Sequence, residues 1–312
     1  MSTFINSLSE SIARYLDLQH SLGYQFVTQA TSLRALLRHV RITHARGPLS
    51  QALALECVMA SDITPNGKAI RYAVIRRFAQ FHAAFDSRTQ PFDRRVLPRS
   101  RAIPPPRILT DQELLELMAA SKEVAKYRSM RGDTLATIVG LLASTGLRSG
   151  EAVRLDCTDV DLTRGILHVR KTKFRKDRLV PVHPTTINAL RDYACHRNRA
   201  FPTAKTPAFF ISTRGTRLLQ GGLCYGLKQA CAIAGLNRLG AKTLRPHDLR
   251  HRFAVTRLAE WHRRKIDVQT MLPLLATYLG HARYSDTAYY ISATSELLGL
   301  AAGKAFANRG AA

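Results

Sequence analysis

Acidic residues are scarce in this chain: 22 Asp and Glu stand against 47 Lys and Arg, a net charge of +25. No carboxylate cluster of the kind that holds Mg²⁺ is visible, and no GxxxxGK phosphate loop occurs, so neither metal nor nucleotide cofactor is expected. Cysteine is sparse as well. Its five copies are scattered, and none forms a CxxC pair. That argues against a zinc ribbon or a disulfide framework and fits reduced thiols in a cytosolic protein. The longest apolar stretch, around Leu135 to Leu147, is too short to span a bilayer. The N-terminus lacks a basic segment leading into an apolar run, so no signal peptide is expected. There are no internal repeats and no low-complexity tract.

What is present is basic and well supplied with core material. Hydrophobic residues make up 46% of 312 positions, enough for real cores, and the length favours two domains. The charge is spread along the chain. Residues 1–107 carry 15 Lys and Arg against 6 Asp and Glu; residues 108–312 carry 32 against 16. Charge alone is compatible with a merely solvated surface, but two basic halves fit a clamp around nucleic acid better than one sticky arm.

The division is expected at "LPRSRAIPPPRILT", Leu97 to Thr110. Its three consecutive prolines exclude helix and stiffen an extended segment. Arg95, Arg99, Arg101 and Arg107 lie in or beside it, so the linker of residues 97–109 is itself suited to a phosphate backbone. Thr110 and Glu113 then form a capping box, with Leu109 and Leu114 as its hydrophobic staple. Residues 1–96 read as a small helical bundle. Gly23 stops the first helix, a second carries Arg34, Arg38 and Arg41, and a third carries Arg71, Arg76 and Arg77. Residues 110–295 read as mixed. Helices run through "LATIVGLLASTGLRSGEAVRL", and then β-branched alternation with a charged turn predicts a hairpin from Gly165 to Val182. Helices follow to the end. The fold class is therefore mainly α with a small antiparallel β-sheet.

Four short islands gather the basic and aromatic candidates. In "STGLRSGEAVRL", Arg148 sits between Gly146 and Gly150, and Glu151, three residues on, is placed to orient it. Alone, this reads more readily as a surface arginine in a loop. The hairpin turn "RKTKFRKDR" holds Lys171, Lys173, Arg175, Lys176 and Arg178. It is either a solvated turn or a finger that places a lysine against a leaving oxygen, a donor role open to lysine and closed to arginine. In "LRPHDLRHRFAV", Pro246 suits a helix's first turn, so His247 and Arg250 share one face and can offer imidazole and guanidinium to one phosphate. Most lone HxxR matches are a buried His and a surface Arg. Finally, in "LGHARYSDTAYYIS", His281 follows a glycine and precedes the adjacent Tyr289 and Tyr290.

In this order the islands resemble the tyrosine recombinases, which include phage integrases, Xer-type resolvases and transposon integrases. The matches are "TGLRSGE" (Arg148), "KTKFRKDRLVPV" (Lys173), "HDLRH" (His247, Arg250), "YLGH" (His281) and, nine residues later, Tyr290. They cover roughly residues 110–295. The helical N-terminal region is similar to the family's core-binding domain in size and character only. Lys173 is selected because it lies five residues before the arginine of "RLVP"; Lys171 and Lys176 stay open as alternatives. Two departures are visible. Arg252 follows His251 where a small hydroxyl residue is common, and "AEWHRRKIDVQTMLPLLATYLGH" is longer than in compact members, as in the transposon-encoded branch.

The resemblance implies that Tyr290 attacks a DNA phosphorus and forms a 3′-phosphotyrosyl link. Lys173 would protonate the leaving 5′ oxygen, Arg148 and Arg250 would stabilise the phosphate's charge, and His247 and His281 would assist, with Glu151 in support. Helix geometry, about 100° per residue, lets only one of Tyr289 and Tyr290 face the phosphate. Lys171, Arg175, Lys176, Arg76 and Arg77 would touch DNA. The expected partners are double-stranded DNA, further copies of this chain in a tetramer on two sites, and partner recombinases; no membrane is involved. The expected location is the bacterial cytoplasm, on the nucleoid. The tail, residues 296–312, is expected either to dock on a neighbouring protomer or to pack on its own domain. Two other readings use the same features: a type IB topoisomerase-like enzyme, and a DNA-binding accessory protein of a recombination complex. Covalent capture of DNA separates the binder from both enzymes.

Overall fold

The computed structural model describes residues 3–98, 106–125, 130–170, 177–203, 206–237, 243–281 and 287. Lys171, Lys173, Arg175, Lys176, Tyr289, Tyr290 and the tail lie outside the described residues, as do Arg99, Arg101, Pro104 and Pro105. The chain divides into two compact units, Met1–Pro104 and Pro105–Ala312.

The first unit packs four helices: α1 (Thr3–Ser21), α2 (Val27–Ile42), α3 (Gln51–Met59) and α4 (Pro65–His82). Apolar residues three or four apart give each helix one buried stripe. Leu8 and Ile12 of α1, Leu33 and Leu36 of α2, Ala54 and Val58 of α3, and Ile75 and Phe78 of α4 meet in one core. Full burial of each large side chain contributes about 1.5–3 kcal/mol. Ser11 and His82 close the bundle with a buried hydrogen bond of 2.8 Å. The helix α3 has no counterpart in the sequence reading. Its nine residues are too short and too uniformly apolar to show a period, and its start is set by Ser50, whose hydroxyl accepts from the Leu53 amide. Of the expected basic stripes, Arg34, Arg38, Arg41 and Arg77 are exposed, while Arg71 and Arg76 are half-buried.

The second unit begins with α5 (Asp111–Glu123). Its capping box is formed: the Thr110 hydroxyl accepts from the Glu113 amide at 3.1 Å, and the Glu113 carboxylate accepts from the Thr110 amide at 2.8 Å. Helix α6 (Arg131–Thr145) absorbs the longest apolar stretch. It is buried on nearly every side, with Ile138, Val139 and Leu142 wholly inaccessible. The short helix α7 (Ser149–Arg154) follows, and then a three-stranded antiparallel sheet, β1 (Val160–Asp161), β2 (Ile166–Val169) and β3 (Arg178–Pro181). Strands β2 and β3 are the expected hairpin, in register from Ile166↔Pro181 to Val169↔Arg178. The two-residue β1 is an addition that no sequence period could show.

Helices α8 (Pro184–Ala200), α9 (Gln220–Ile233), α10 (Pro246–Arg263) and α11 (Val268–Leu279) complete the unit. Helices α10 and α11 pack through Phe253, Leu258, Leu272, Leu275 and Leu279. Arg252, noted above only as a departure, is buried. Its Nε donates to the Leu109 carbonyl at 3.0 Å and its Nη2 pairs with Asp111, so it pins the entrance of α5 to α10. Among the described residues no helix is long and apolar enough to cross a membrane.

Candidate active site

The site assembles where three helix ends meet: the C-termini of α6 and α11 and the N-terminus of α7. A helix leaves its last carbonyls without internal partners and carries partial negative charge there. Cationic donors are the natural complement, and this chain supplies three arginines from distant positions.

The carbonyls of Tyr278, Leu279 and Gly280, consecutive at the end of α11, each accept from a different guanidinium. Arg178 Nε donates to Tyr278 at 2.9 Å, Arg250 Nη2 to Leu279 at 2.8 Å, and Arg148 Nη2 to Gly280 at 2.9 Å. Arg250 also donates from Nη1 to the Gly146 carbonyl, at 2.8 Å, and so ties the end of α6 to the end of α11. Both helices stop at a glycine in the left-handed region, Gly146 at φ 63° and Gly280 at φ 68°. A side chain would strain that backbone by about 1–2 kcal/mol. At Gly280 it would also collide: a Cβ would stand 2.7 Å from Arg178 Nη1. Glycine here admits the guanidinium as well as the turn.

Glu151 organises two of the three arginines. It sits at the third position of α7 and reaches back to the Arg148 amide at 3.1 Å and to Arg148 Nη1 at 2.9 Å. Its two oxygens also take the fork of Arg178, at 2.8 and 3.2 Å. Only 3% of Glu151 is exposed. Burial alone would raise its pKa. The hydrogen bonds and charge of Arg178, with the bonds from Arg148, outweigh that and hold it at about 2, against an ordinary 4.5.

This has a consequence for acid stability. A depressed carboxylate stabilises the fold fully above its unfolded pKa, and that stabilisation is lost as pH falls toward its folded value. The window here runs from about 4.5 down to about 2. The shift corresponds to roughly 3 kcal/mol. Denaturant unfolding of the full chain between pH 7 and pH 3 should show this loss, and Glu151→Gln should flatten it. Identical slopes in the two proteins would remove Glu151 as its source.

Two histidines border the arginines. His247 opens α10 next to Pro246, whose N-cap Arg245 pairs with the buried Asp248 at 2.8 Å. Its ring keeps an exposed face, yet its pKa is pushed below the ordinary value, first by desolvation on the protein side and then by Arg250. His251, one turn on, meets it edge to face at 4.6 Å. Burial, then His247, pushes His251 down to about 4. His281 follows Gly280, and its amide donates to the Ala276 carbonyl at 2.9 Å. Burial, then Arg250, Arg148, His247 and Arg178 in turn, pushes its imidazole down to about 3. At neutral pH His281 is therefore an uncharged hydrogen-bonding group. Its Nδ1 lies 2.7 Å from Thr287 Oγ1.

The structure thus brings Arg148, Glu151, His247, Arg250 and His281 to one place from the α6–α7 turn, α10 and the end of α11. One detail corrects the sequence reading. Arg250 was expected to present its fork to a phosphate; instead the fork spans two backbone carbonyls and its side chain is 0% exposed. The sequence reading also left out two neighbours. Arg178 appeared there only as one cation of the turn and as the marker in "RLVP" that selects Lys173, with no role of its own. Thr287 carried no signal at all. Lys173 and Tyr290 lie outside the described residues.

The model of the phage integrase family matches residues 107–296. The chain is 54% identical over its whole length, and the whole of the relative's, to y4rE of Sinorhizobium fredii, named as an integrase/recombinase. It is 27% identical to tyrosine recombinase XerC of Chlamydia caviae, over 73% of this chain and 67% of that one. Its fold matches the Tn1549 transposon integrase solved with transposon right-end DNA, with a TM-score of 0.63 at 16% identity, covering 93% of this chain and 99% of that one. The chain belongs to the phage integrase family and is a tyrosine-type recombinase.

Proposed function

We propose that this recombinase cuts and rejoins DNA through a 3′-phosphotyrosyl intermediate on Tyr290 and serves the movement of a mobile element. The observation that carries the reading is the convergence of two arginines and two histidines around the end of α11, where His281 stands nine residues before Tyr290. The Tyr290 hydroxyl gives its proton to His247 as its oxygen attacks phosphorus, the bond from phosphorus to the 5′ oxygen breaks, and the phosphoryl group passes to tyrosine. Lys173 gives its proton to the departing 5′ oxygen. Attack by a 5′ hydroxyl of another strand reverses the step and returns the proton. The bond energy is kept in the phosphotyrosine, so no ATP is consumed.

Arg148 and Arg250 act as preorganised charge beside the phosphate. Such electrostatic stabilisation is the main catalytic device of phosphoryl transfer. Their orientation is set before DNA arrives, because Glu151 and the α11 carbonyls hold them. His281, neutral, supplies a hydrogen bond, and His247 assists proton movement. The helical unit binds DNA with Arg76 and Arg77 among its contacts, and Lys171, Arg175 and Lys176 add contacts from the hairpin turn. Four strands are cut when two duplexes exchange partners, and each chain has one nucleophile, so the assembly is a tetramer. The tail, residues 296–312, docks on the neighbouring protomer; an unchanged assembly after truncation near Ser295 would refute that.

The testing experiment is covalent trapping. The full chain is incubated with nicked suicide duplexes built from the ends of its element, with and without Mg²⁺ and ATP. The expected product is a slowly migrating protein–DNA adduct on a denaturing gel, independent of both additives. Tight binding with no adduct on any authentic end would support an accessory DNA-binding role instead. Relaxation of supercoils without joining of partner sites would mark a topoisomerase.

A further inference from the structure

Thr287 is the one described residue beyond His281, and it is fully buried. Its hydroxyl lies 2.7 Å from His281 Nδ1. His281 is already fixed along its backbone: its amide donates to Ala276, and the preceding carbonyl is held by Arg148. The contact to Thr287 fixes the ring as well. A neutral imidazole carries one proton, on either nitrogen, and its partner at one nitrogen decides the role of the other. A threonine hydroxyl can donate or accept, so the 2.7 Å contact admits both tautomers. The chemistry at a phosphate does not: the non-bridging oxygens only accept hydrogen bonds, so a neutral ring is useful there only with its proton on Nε2.

We infer that Thr287 is a positioning residue: its hydroxyl donates to His281 Nδ1 and holds the ring in the tautomer that bears its proton on Nε2, facing the phosphate. The inference rests on the reading above, in which His281 contacts the scissile phosphate. It also assigns the buried hydroxyl a task. A buried hydroxyl without a partner is costly, and here the partner is a side chain of the site. Thr287 stands three residues before Tyr290, so the hydrogen bond links the ring that meets the phosphate to the segment that brings the nucleophile.

The test uses the full chain with ¹⁵N-labelled histidine. Nitrogen chemical shifts distinguish the two tautomers, and His281→Asn assigns the resonance. Wild type and Thr287→Ser should show the proton on Nε2, while Thr287→Val, equal in shape and lacking the hydroxyl, should show a mixture. In single-turnover trapping Thr287→Val should form adduct about 10- to 100-fold more slowly at saturating DNA, with half-saturation unchanged, and Thr287→Ser should restore most of the rate. A wild-type ring protonated on Nδ1 overturns the inference, and so does a Thr287→Val protein with wild-type tautomer and rate. If Thr287→Val fails to fold, the wild-type spectrum alone decides. If wild type shows the expected tautomer but never forms adduct, the tautomer assignment stands and the recombination chemistry falls.

Discussion

Replacing Tyr290 with Phe should abolish covalent capture of DNA, by at least about a thousandfold, and leave folding and DNA affinity as they were. Tyr289→Phe should keep the adduct. The two differ because a nucleophile is a single atom: removing one oxygen removes the bond that forms. A tyrosine hydroxyl has a pKa of about 10 and attacks poorly at neutral pH unless cations favour its ionised form. In the proposed mechanism Arg148 and Arg250 do this for the phenol that reaches the phosphate, and the family's spacing of nine from His281 selects Tyr290. Suicide-substrate gels of the three proteins side by side measure it. Loss of adduct in Tyr289→Phe alone would shift the assignment by one residue. Loss in both would point to packing damage, which thermal melts would reveal.

Arg250 predicts the opposite pattern, damage to chemistry and fold together. Arg250→Met removes the donor to two buried carbonyls, Gly146 and Leu279. Each unsatisfied acceptor costs about 1–3 kcal/mol, so the fold should lose roughly 2–5 kcal/mol. Loss of a preorganised charge at the phosphate should slow adduct formation by a further factor of about 10²–10³. Arg250→Lys should recover little of either, since one ammonium on a flexible stem cannot span two helix ends as a planar fork does. Denaturant unfolding and single-turnover trapping of both variants give the two numbers. A stable Arg250→Met protein would show that the clamp carries no weight. An unchanged trapping rate would take Arg250 out of the phosphate's environment.

The parts of this molecule legible in its sequence are those set by neighbours along the chain. The capping box at Thr110 and Glu113, the Arg148–Glu151 spacing, the placement of His247 and Arg250 after Pro246, and the period-two hairpin all involve residues within a turn or a strand pair. The fold class followed from them. What the sequence concealed depends on long-range closure. That Arg178 would meet Glu151, 27 residues earlier, and the Tyr278 carbonyl, 100 residues later, follows from the hairpin packing beside α7 and α11. No local pattern encodes such a meeting. Arg252 read only as a departure from the family pattern because its partners, Leu109 and Asp111, belong to another helix's entrance. The helix α3 and the strand β1 are too short to show a period.

The arginine clamp at the end of α11 also bears on how such a gene decays. A mutation that disarms the enzyme by removing Arg148, Arg250 or Glu151 also loosens helix ends, so it tends to yield a chain that is degraded. On the mechanism proposed above, a change of Tyr290 to Phe removes only the attacking oxygen. Silent copies that still occupy their DNA sites, and so compete with active ones, should therefore arise chiefly through the tyrosine.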